Sequence, residues 1–230
     1  MSEKNVDIAP SQLGTKDFWD NRYEMELANF EENGDEGEIW FGTAAENRII
    51  KYLIDSKTAK DSEILDLGCG NGSVLRKLRS KGFSRLTGVD YCQKAVDLSN
   101  ATSKAEEEEE DNEEEMIDIK FEQLDITAPR PDFLSLKFDV VLDKGTWDAM
   151  SLSEERGDRL KAYIDLLDNV LNENGRFVVF SCNFTLNELQ EQFGGSILEM
   201  VCEVPATHSF SFGGKQGVTS TGVVFRKKTS

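Results

Sequence analysis

The 230-residue sequence has a single histidine, His208, and only four cysteines and four prolines. With one histidine in a loop-like stretch, neither a histidine-based metal centre nor a serine-histidine-aspartate relay has the residues it needs. The cysteines, at positions 69, 92, 182 and 202, show no short ligand spacing and are too sparse for a disulfide scaffold, which predicts reduced thiols and no metal site. No apolar run approaches the roughly 18 residues of a membrane span. The N-terminal Met-Ser-Glu-Lys-Asn-Val-Asp also lacks the basic and apolar regions of a signal peptide. These absences predict a cytoplasmic protein that does not engage a membrane. Basic residues are scarce too: 26 Lys and Arg stand against 44 Asp and Glu, a net charge of −18. Direct nucleic-acid binding needs clustered cations to neutralise phosphates and is disfavoured, whereas a basic protein partner or a lysine-bearing substrate is favoured.

What is present describes one globular domain. Hydrophobic residues make up 38% of the chain and charged residues 30%, enough for a sizeable core without a second domain, and nothing predicts more than a monomer. Residues 1–14 read as a flexible leader and 15–230 as the domain. Phe18, Trp19 and Tyr23 follow, an aromatic segment that can either cap the core as a helix or close over a ligand. Thr43 and Glu46 have capping-box spacing before a helix with Ile49, Ile50, Leu53 and Ile54 on one face, which predicts a structural role for Glu46. From there apolar runs and helical patterns alternate. Strands are predicted at 64–67, 85–89, 119–124, 138–142 and 176–181, with helices at 73–81, 93–104, 158–171 and 186–193. Two final runs, 197–204 and 217–226, read as an antiparallel pair. The rhythm breaks at 105–118, where Glu106 to Glu115 carry nearly all of a like-charge block that predicts an exposed, mobile insertion.

Residues 62–72, Ser-Glu-Ile-Leu-Asp-Leu-Gly-Cys-Gly-Asn-Gly, organise the rest. A buried strand runs into a turn where Gly68, Gly70 and Gly72, lacking Cβ, can take positive φ and let the backbone approach a ligand. Asp90, at the end of the next strand, can hold ribose hydroxyls as in nucleotide-binding βαβ units. The spacing is Asp-x-Gly-x-Gly-x-Gly, however, and not the Gly-x-Gly-x-x-Gly of nicotinamide enzymes, so a nicotinamide-dependent oxidoreductase is the weaker alternative. Asp66, Asp90, Asp125 and Asp143 each fall at the end of a predicted strand. In a parallel sheet they would gather at the carboxyl edge, a rim that repels a diphosphate and suits a cation. S-adenosylmethionine, with a sulfonium, an ammonium and a ribose but no phosphate, meets these demands.

The string Ile-Leu-Asp-Leu-Gly-Cys-Gly-Asn-Gly followed by Gly-Val-Asp-Tyr resembles the first motifs of the seven-stranded S-adenosylmethionine-dependent methyltransferases. The strings at 11–23, 34–42, 143–149, 181–185 and 210–214 resemble the lysine methyltransferases of translation elongation factor 1-alpha. The resemblance implies a Rossmann-like α/β fold: a mostly parallel, doubly wound seven-stranded sheet with an antiparallel C-terminal strand. It implies methyl transfer from S-adenosylmethionine to a protein lysine. Asp66, Gly68 and Gly70 would line the methionine and ribose side and Asp90 the ribose hydroxyls. Tyr91, Asp125 and Ile126 would border the adenine, and Trp19 and Tyr23 would close over the cofactor. Asp143 is the expected holder of the incoming ammonium, with Asn183 beside it in the catalytic group. Trp147, Phe210 and Phe212 either shape the lysine channel or pack in the core. A non-catalytic module of the same fold that binds a partner remains an alternative, because fold does not fix function.

Overall fold

The computed structural model describes residues 9–109, 117–195, 197–206, 210–212, 215–217 and 220–228. His208 and residues 110–116 of the acidic block lie outside them. A 3-10 turn at Gln12–Gly14 precedes helices α1 (Lys16–Asn33) and α2 (Gly42–Asp55). Then come β1 (Glu63–Leu67), α3 (Ser73–Arg79), β2 (Arg85–Asp90), α4 (Gln93–Glu109), β3 (Ile119–Gln123), α5 (Pro131–Leu134) and β4 (Phe138–Lys144). The chain continues through α6 (Thr146–Ser151), α7 (Arg156–Val170), β5 (Leu171–Ser181), α8 (Leu186–Phe193) and β6 (Leu198–Val204). A short hairpin, β7 (Phe210–Phe212) with β8 (Lys215–Gly217), leads to β9 (Thr221–Lys227).

The main sheet has the order β3-β2-β1-β4-β5-β9-β6. Strands β1 to β5 pair in parallel, and β9 enters antiparallel between β5 and β6. This is the doubly wound architecture expected from the alternating pattern. Strand periodicity divides the core. Leu65, Leu67, Val141 and Val179 face the layer that holds Trp147, Tyr163 and Phe193. Ile64, Val140, Leu142 and Val178 face the layer that holds Ile49, Leu53 and Leu75.

Several expectations need correction. The leader is ordered at its C-terminal end: Ser11 N donates to Leu152 O (3.0 Å), and Gly14 is buried. A Cβ on Gly14 would sit 2.3 Å from the Leu152 carbonyl, so only glycine allows this backbone approach. The capping box at Thr43 does not form. The residue at the cap is Phe41 (φ 66°), with no side-chain bond there. Glu46 is structural in a different way: 1% exposed, it accepts from Ser73 Oγ (2.9 Å) and Lys77 Nζ (2.5 Å). The start of the acidic insertion is helical, because α4 continues to Glu109. Glu106 pairs with Arg76 and Arg79, and Glu107 with Arg79, so two nearly buried guanidinium groups offset the like-charge repulsion expected there.

Candidate active site

A cavity opens along the carboxyl edge of the sheet. Its walls follow the strand order. Leu124, Asp125 and Ile126 come from beyond β3, Asp90 and Tyr91 from β2, and Gly68 to Asn71 from β1. Lys144 to Thr146 and Asp148 to Met150 come from β4 and α6, and Cys182 and Asn183 from beyond β5. Leu13, Gly14, Trp19, Tyr23, Glu38, Trp40 and Phe41 complete it from the N-terminal segment.

The glycine turn forms as the sequence predicts. Gly68, Gly70 and Gly72 have φ of 68°, 57° and 73°. Gly68 N and Cys69 N both donate to Val89 O (2.8 and 3.0 Å), tying the turn to the end of β2. Asp90 Oδ2 accepts from Gly70 N (3.2 Å) and Oδ1 from Cys92 N (2.9 Å), so one carboxylate fixes both the turn and the next loop. Each oxygen keeps acceptor capacity for a ligand hydroxyl. Burial pushes the Asp90 carboxyl up to about 6, while the two backbone amides oppose the shift. Asp125 is exposed and accepts from Thr127 N and Oγ1 (2.9 and 2.6 Å), a turn that holds it beside Ile126.

The N-terminal aromatics are helical, and two of them, Trp19 and Tyr23, line the cavity. Trp19 stacks on Tyr23 (ring centroids 6.1 Å apart) and contacts Trp40 (4.8 Å). Trp19 Nε1 donates to Leu13 O (2.7 Å), and an Arg159 guanidinium nitrogen donates to Gly14 O (3.1 Å). The segment before α2 is tied down as well. Asn71 Nδ2 donates to Glu36 O (3.0 Å), and Lys144 Nζ donates to Trp40 O (2.9 Å).

Three expected site residues are elsewhere. Asp143 is 0% exposed and does not line the cavity. Its Oδ1 accepts from Thr146 N (2.9 Å), and its Oδ2 accepts from Trp147 N (2.9 Å) and the Tyr163 hydroxyl (2.5 Å). It anchors the start of α6, and burial raises its carboxyl to about 7 against the Tyr163 bond. Trp147 is 1% exposed and packs on Tyr163 and Phe193, which makes it a core residue and not a channel wall. Asp66 lies beneath the turn, 3% exposed, and also does not line the cavity. Burial pushes its carboxyl up to about 8, with Lys144 pulling the other way. Only Asp90 and Asp125 of the four strand-end carboxylates therefore line the cavity. Phe210 lies opposite Gly217 and Phe212 opposite Lys215 in the β7–β8 hairpin; the side chains of both fall outside the described residues.

Sequence reasoning passed over Asp148, Lys144, Trp40 and Arg159. Asp148 stands at the end of the same string as Asp143, five residues on. It is 4% exposed, lines the cavity, and accepts from Ser181 Oγ (2.5 Å), Cys182 N (2.8 Å) and Asn183 N (3.2 Å). Trp40 Nε1 is buried and has no hydrogen-bond partner among the described residues, in a side chain that lines the cavity.

The positive-φ glycine turn, the spare acceptor capacity of Asp90, the apolar shelf of Tyr91, Leu124 and Ile126, and the open donor on Trp40 fit a nucleoside joined to an amino acid. Sheet order and cavity together define a methyltransferase of the S-adenosylmethionine-dependent class. Solved structures with this fold include the N-methyltransferase NodS from Bradyrhizobium japonicum in complex with S-adenosylhomocysteine, at 18% identity and TM-score 0.60. That match covers 91% of this chain and 98% of NodS. An S-adenosylmethionine-dependent methyltransferase from Clostridium acetobutylicum aligns at 12% identity and TM-score 0.62, covering 90% of this chain and 99% of that one. Residues 58–220 match a family described as a methyltransferase domain. EEF1A lysine methyltransferase 2 is 41% identical over 97% of this chain and 91% of the Danio rerio protein, and 41% over 96% and 89% for the Homo sapiens protein. The protein-lysine N-methyltransferase EFM4 of Saccharomyces cerevisiae is 37% identical over 97% of this chain and 98% of its own length. The chain belongs to the family of EEF1A lysine methyltransferases, enzymes that use S-adenosylmethionine. This disfavours the nicotinamide and non-catalytic readings.

Proposed function

We propose that this enzyme methylates the side-chain amine of a lysine in translation elongation factor 1-alpha. The observation that carries the reading is the near full-length identity of 37–41% to relatives named for that substrate. The net charge of −18 supports it, since an acidic enzyme attracts a lysine-bearing surface and the attraction weakens as salt is added. The four free cysteines fit a reducing compartment such as the cytoplasm, and the excess of acidic residues disfavours nucleic acid as the substrate.

S-adenosylmethionine supplies an electrophilic methyl group on a positively charged sulfur. The chain's own contribution is binding, orientation and exclusion of water. Asp90 would accept from the ribose hydroxyls while keeping its two backbone donors. Tyr91, Leu124 and Ile126 would cover the base, with Asp125 at its edge. Gly68 and Gly70 would bring the backbone against the amino-acid part, over Asp66. Trp19, bonded to Leu13 O, and Tyr23, stacked on it, would close the cavity from above. At the other end Trp40, Phe41 and Met150 provide apolar walls that favour the neutral amine, which is the nucleophilic form of a group whose ordinary pKa is about 10.4. Asn183 and the hairpin carrying Phe210 and Phe212 would receive the acceptor.

The test is incubation of the purified enzyme with labelled S-adenosylmethionine and purified translation elongation factor 1-alpha, followed by peptide mass spectrometry. A methylated lysine is expected. Label on nucleic acid or small molecules alone would overturn the reading.

A further inference from the structure

We propose that Asp148, and not Asp143, is the carboxylate that receives the cationic end of the acceptor, and that it also holds the 181–183 turn in place around that end of the cavity. The inference deepens the lysine reading and rests on it. Three observations converge.

The first is position. Asp90 marks the ribose end of the cavity, at β2. In the sheet order β2-β1-β4-β5, Asp148 and Asn183 lie across β1, at the β4–β5 end. An acceptor approaching the methyl from the side opposite the nucleoside enters there. Among the described residues, Asp148 is the buried carboxylate at this end of the cavity.

The second is bonding. Every group on Asp148 is a donor: the Ser181 hydroxyl and the Cys182 amide at 2.5 and 2.8 Å, the Asn183 amide at 3.2 Å, and the Cys182 thiol at 3.2 Å. Such a set suits an ionised, acceptor-only carboxylate. It also folds the strand-end turn back over α6, which places Asn183 on the cavity wall. Burial raises the Asp148 carboxyl, and the Ser181 and Cys182 bonds pull it back down. The same anion works on its neighbour: burial and Asp148 together push the Cys182 thiol up to about 12, so this cysteine stays protonated as a donor.

The third is charge. No lysine or arginine whose side chain is described forms an ion pair with Asp148, and no basic group is among the main influences on its carboxyl. Glu46, another deeply buried carboxylate, has Lys77 and, at 3.7 Å, Lys144. A buried anion facing a cavity without a counter-ion is stabilised by whatever cation enters. Asp143 cannot serve, because it is fully buried beneath α6 and does not line the cavity.

The test is Asp148→Asn, which keeps size and removes charge. With translation elongation factor 1-alpha as substrate, kcat/KM is expected to fall roughly 10- to 100-fold, carried by KM for the protein. The dissociation constant for S-adenosylhomocysteine, measured by calorimetry, should stay within about threefold. n-Butylammonium, the end of a lysine side chain, should bind the wild-type S-adenosylhomocysteine complex and bind the variant at least about tenfold more weakly. Equal n-butylammonium binding by both proteins, or none by the wild type, overturns the proposal. So does loss of S-adenosylhomocysteine affinity in step with activity in a folded variant. If Asp148→Asn does not fold, Ser181→Ala is used: it keeps the charge and loosens the turn. It should lower kcat/KM for the protein about threefold or more and leave S-adenosylhomocysteine binding intact, and unchanged kinetics would overturn the positioning role. Wild-type n-butylammonium binding without methyl transfer to any protein lysine would sink the lysine reading and leave Asp148 as a cation site.

Discussion

Replacing Gly68 by alanine isolates how much of the site depends on the glycine turn. At φ 68° an alanine carries the left-handed penalty of about 1–2 kcal/mol. Its Cβ would also lie 2.0 Å from Thr146 Oγ1, an atom committed to donating to Leu67 O at 2.6 Å. Relief requires Thr146 to turn away, which abandons that bond and costs about 1–2 kcal/mol more. Gly82 provides the comparison: its φ is 83°, but nothing stands within 4 Å of an added Cβ. Gly82→Ala should therefore cost about 1–2 kcal/mol in urea unfolding and leave S-adenosylhomocysteine affinity unchanged. Gly68→Ala should cost about 2–4 kcal/mol and weaken the ligand as well. The double variant Gly68→Ala/Thr146→Ala should cost no more than Gly68→Ala alone, since Thr146 has already given up its bond there and the same backbone strain and missing bond remain. Equal costs for Gly68→Ala and Gly82→Ala would refute the close-approach explanation.

The remaining predictions concern buried charge and packing. The Asp66 carboxyl ionises at about 8 in the fold against an ordinary 3.8, so the folded chain holds this proton more tightly than the unfolded one. Its contribution is therefore fully present at low pH and is lost as pH rises from 4 towards 8. Asp66→Asn should melt close to wild type at pH 5 and several degrees higher at pH 8.5, and a constant gap across pH would contradict the assignment. Glu46→Ala leaves Ser73, Lys77 and Lys144 without their common acceptor and should cost about 3 kcal/mol by denaturant unfolding; a loss under about 1 kcal/mol would remove its structural role. Trp147→Phe should lower stability by about 1–2 kcal/mol and change kcat/KM for the protein substrate by less than about twofold. A large rise in KM alone would return Trp147 to the lysine channel.

The elements that position the site were legible wherever local pattern and tertiary context agree. The apolar run 64–67 and the glycines after it suffice for a strand and a turn and fold that way, and the carboxylate at 90 stands at the cavity, as expected from its place at a strand end. The acidic block shows where context overrules pattern. Like-charge repulsion predicts a break near Lys104, yet α4 runs on to Glu109 because Arg76 and Arg79, about thirty residues earlier, meet Glu106 and Glu107. No property of residues 105–109 announces those partners. Likewise the capping-box spacing at Thr43 lost to tertiary contacts, since Glu46 bonds to α3 instead of to its own helix end.

The carboxylates carry the same lesson to the catalytic end. Four acids at strand ends seem equivalent in sequence, but a strand sends successive side chains to opposite layers. Asp66 shares a face with Ile64, and it ends near Lys144 under α2. Asp143 shares a face with Val141, and β4 runs one residue beyond it, so it is drawn into the layer of Tyr163 and Trp147. Neither is free to meet a ligand above the edge. Asp148 escapes this constraint because Gly145, at φ 96°, ends the strand and starts a helix that returns its carboxylate to the cavity. A boundary two residues longer than the apolar run suggests thus decides which of two acids in one short string anchors a helix and which faces the acceptor.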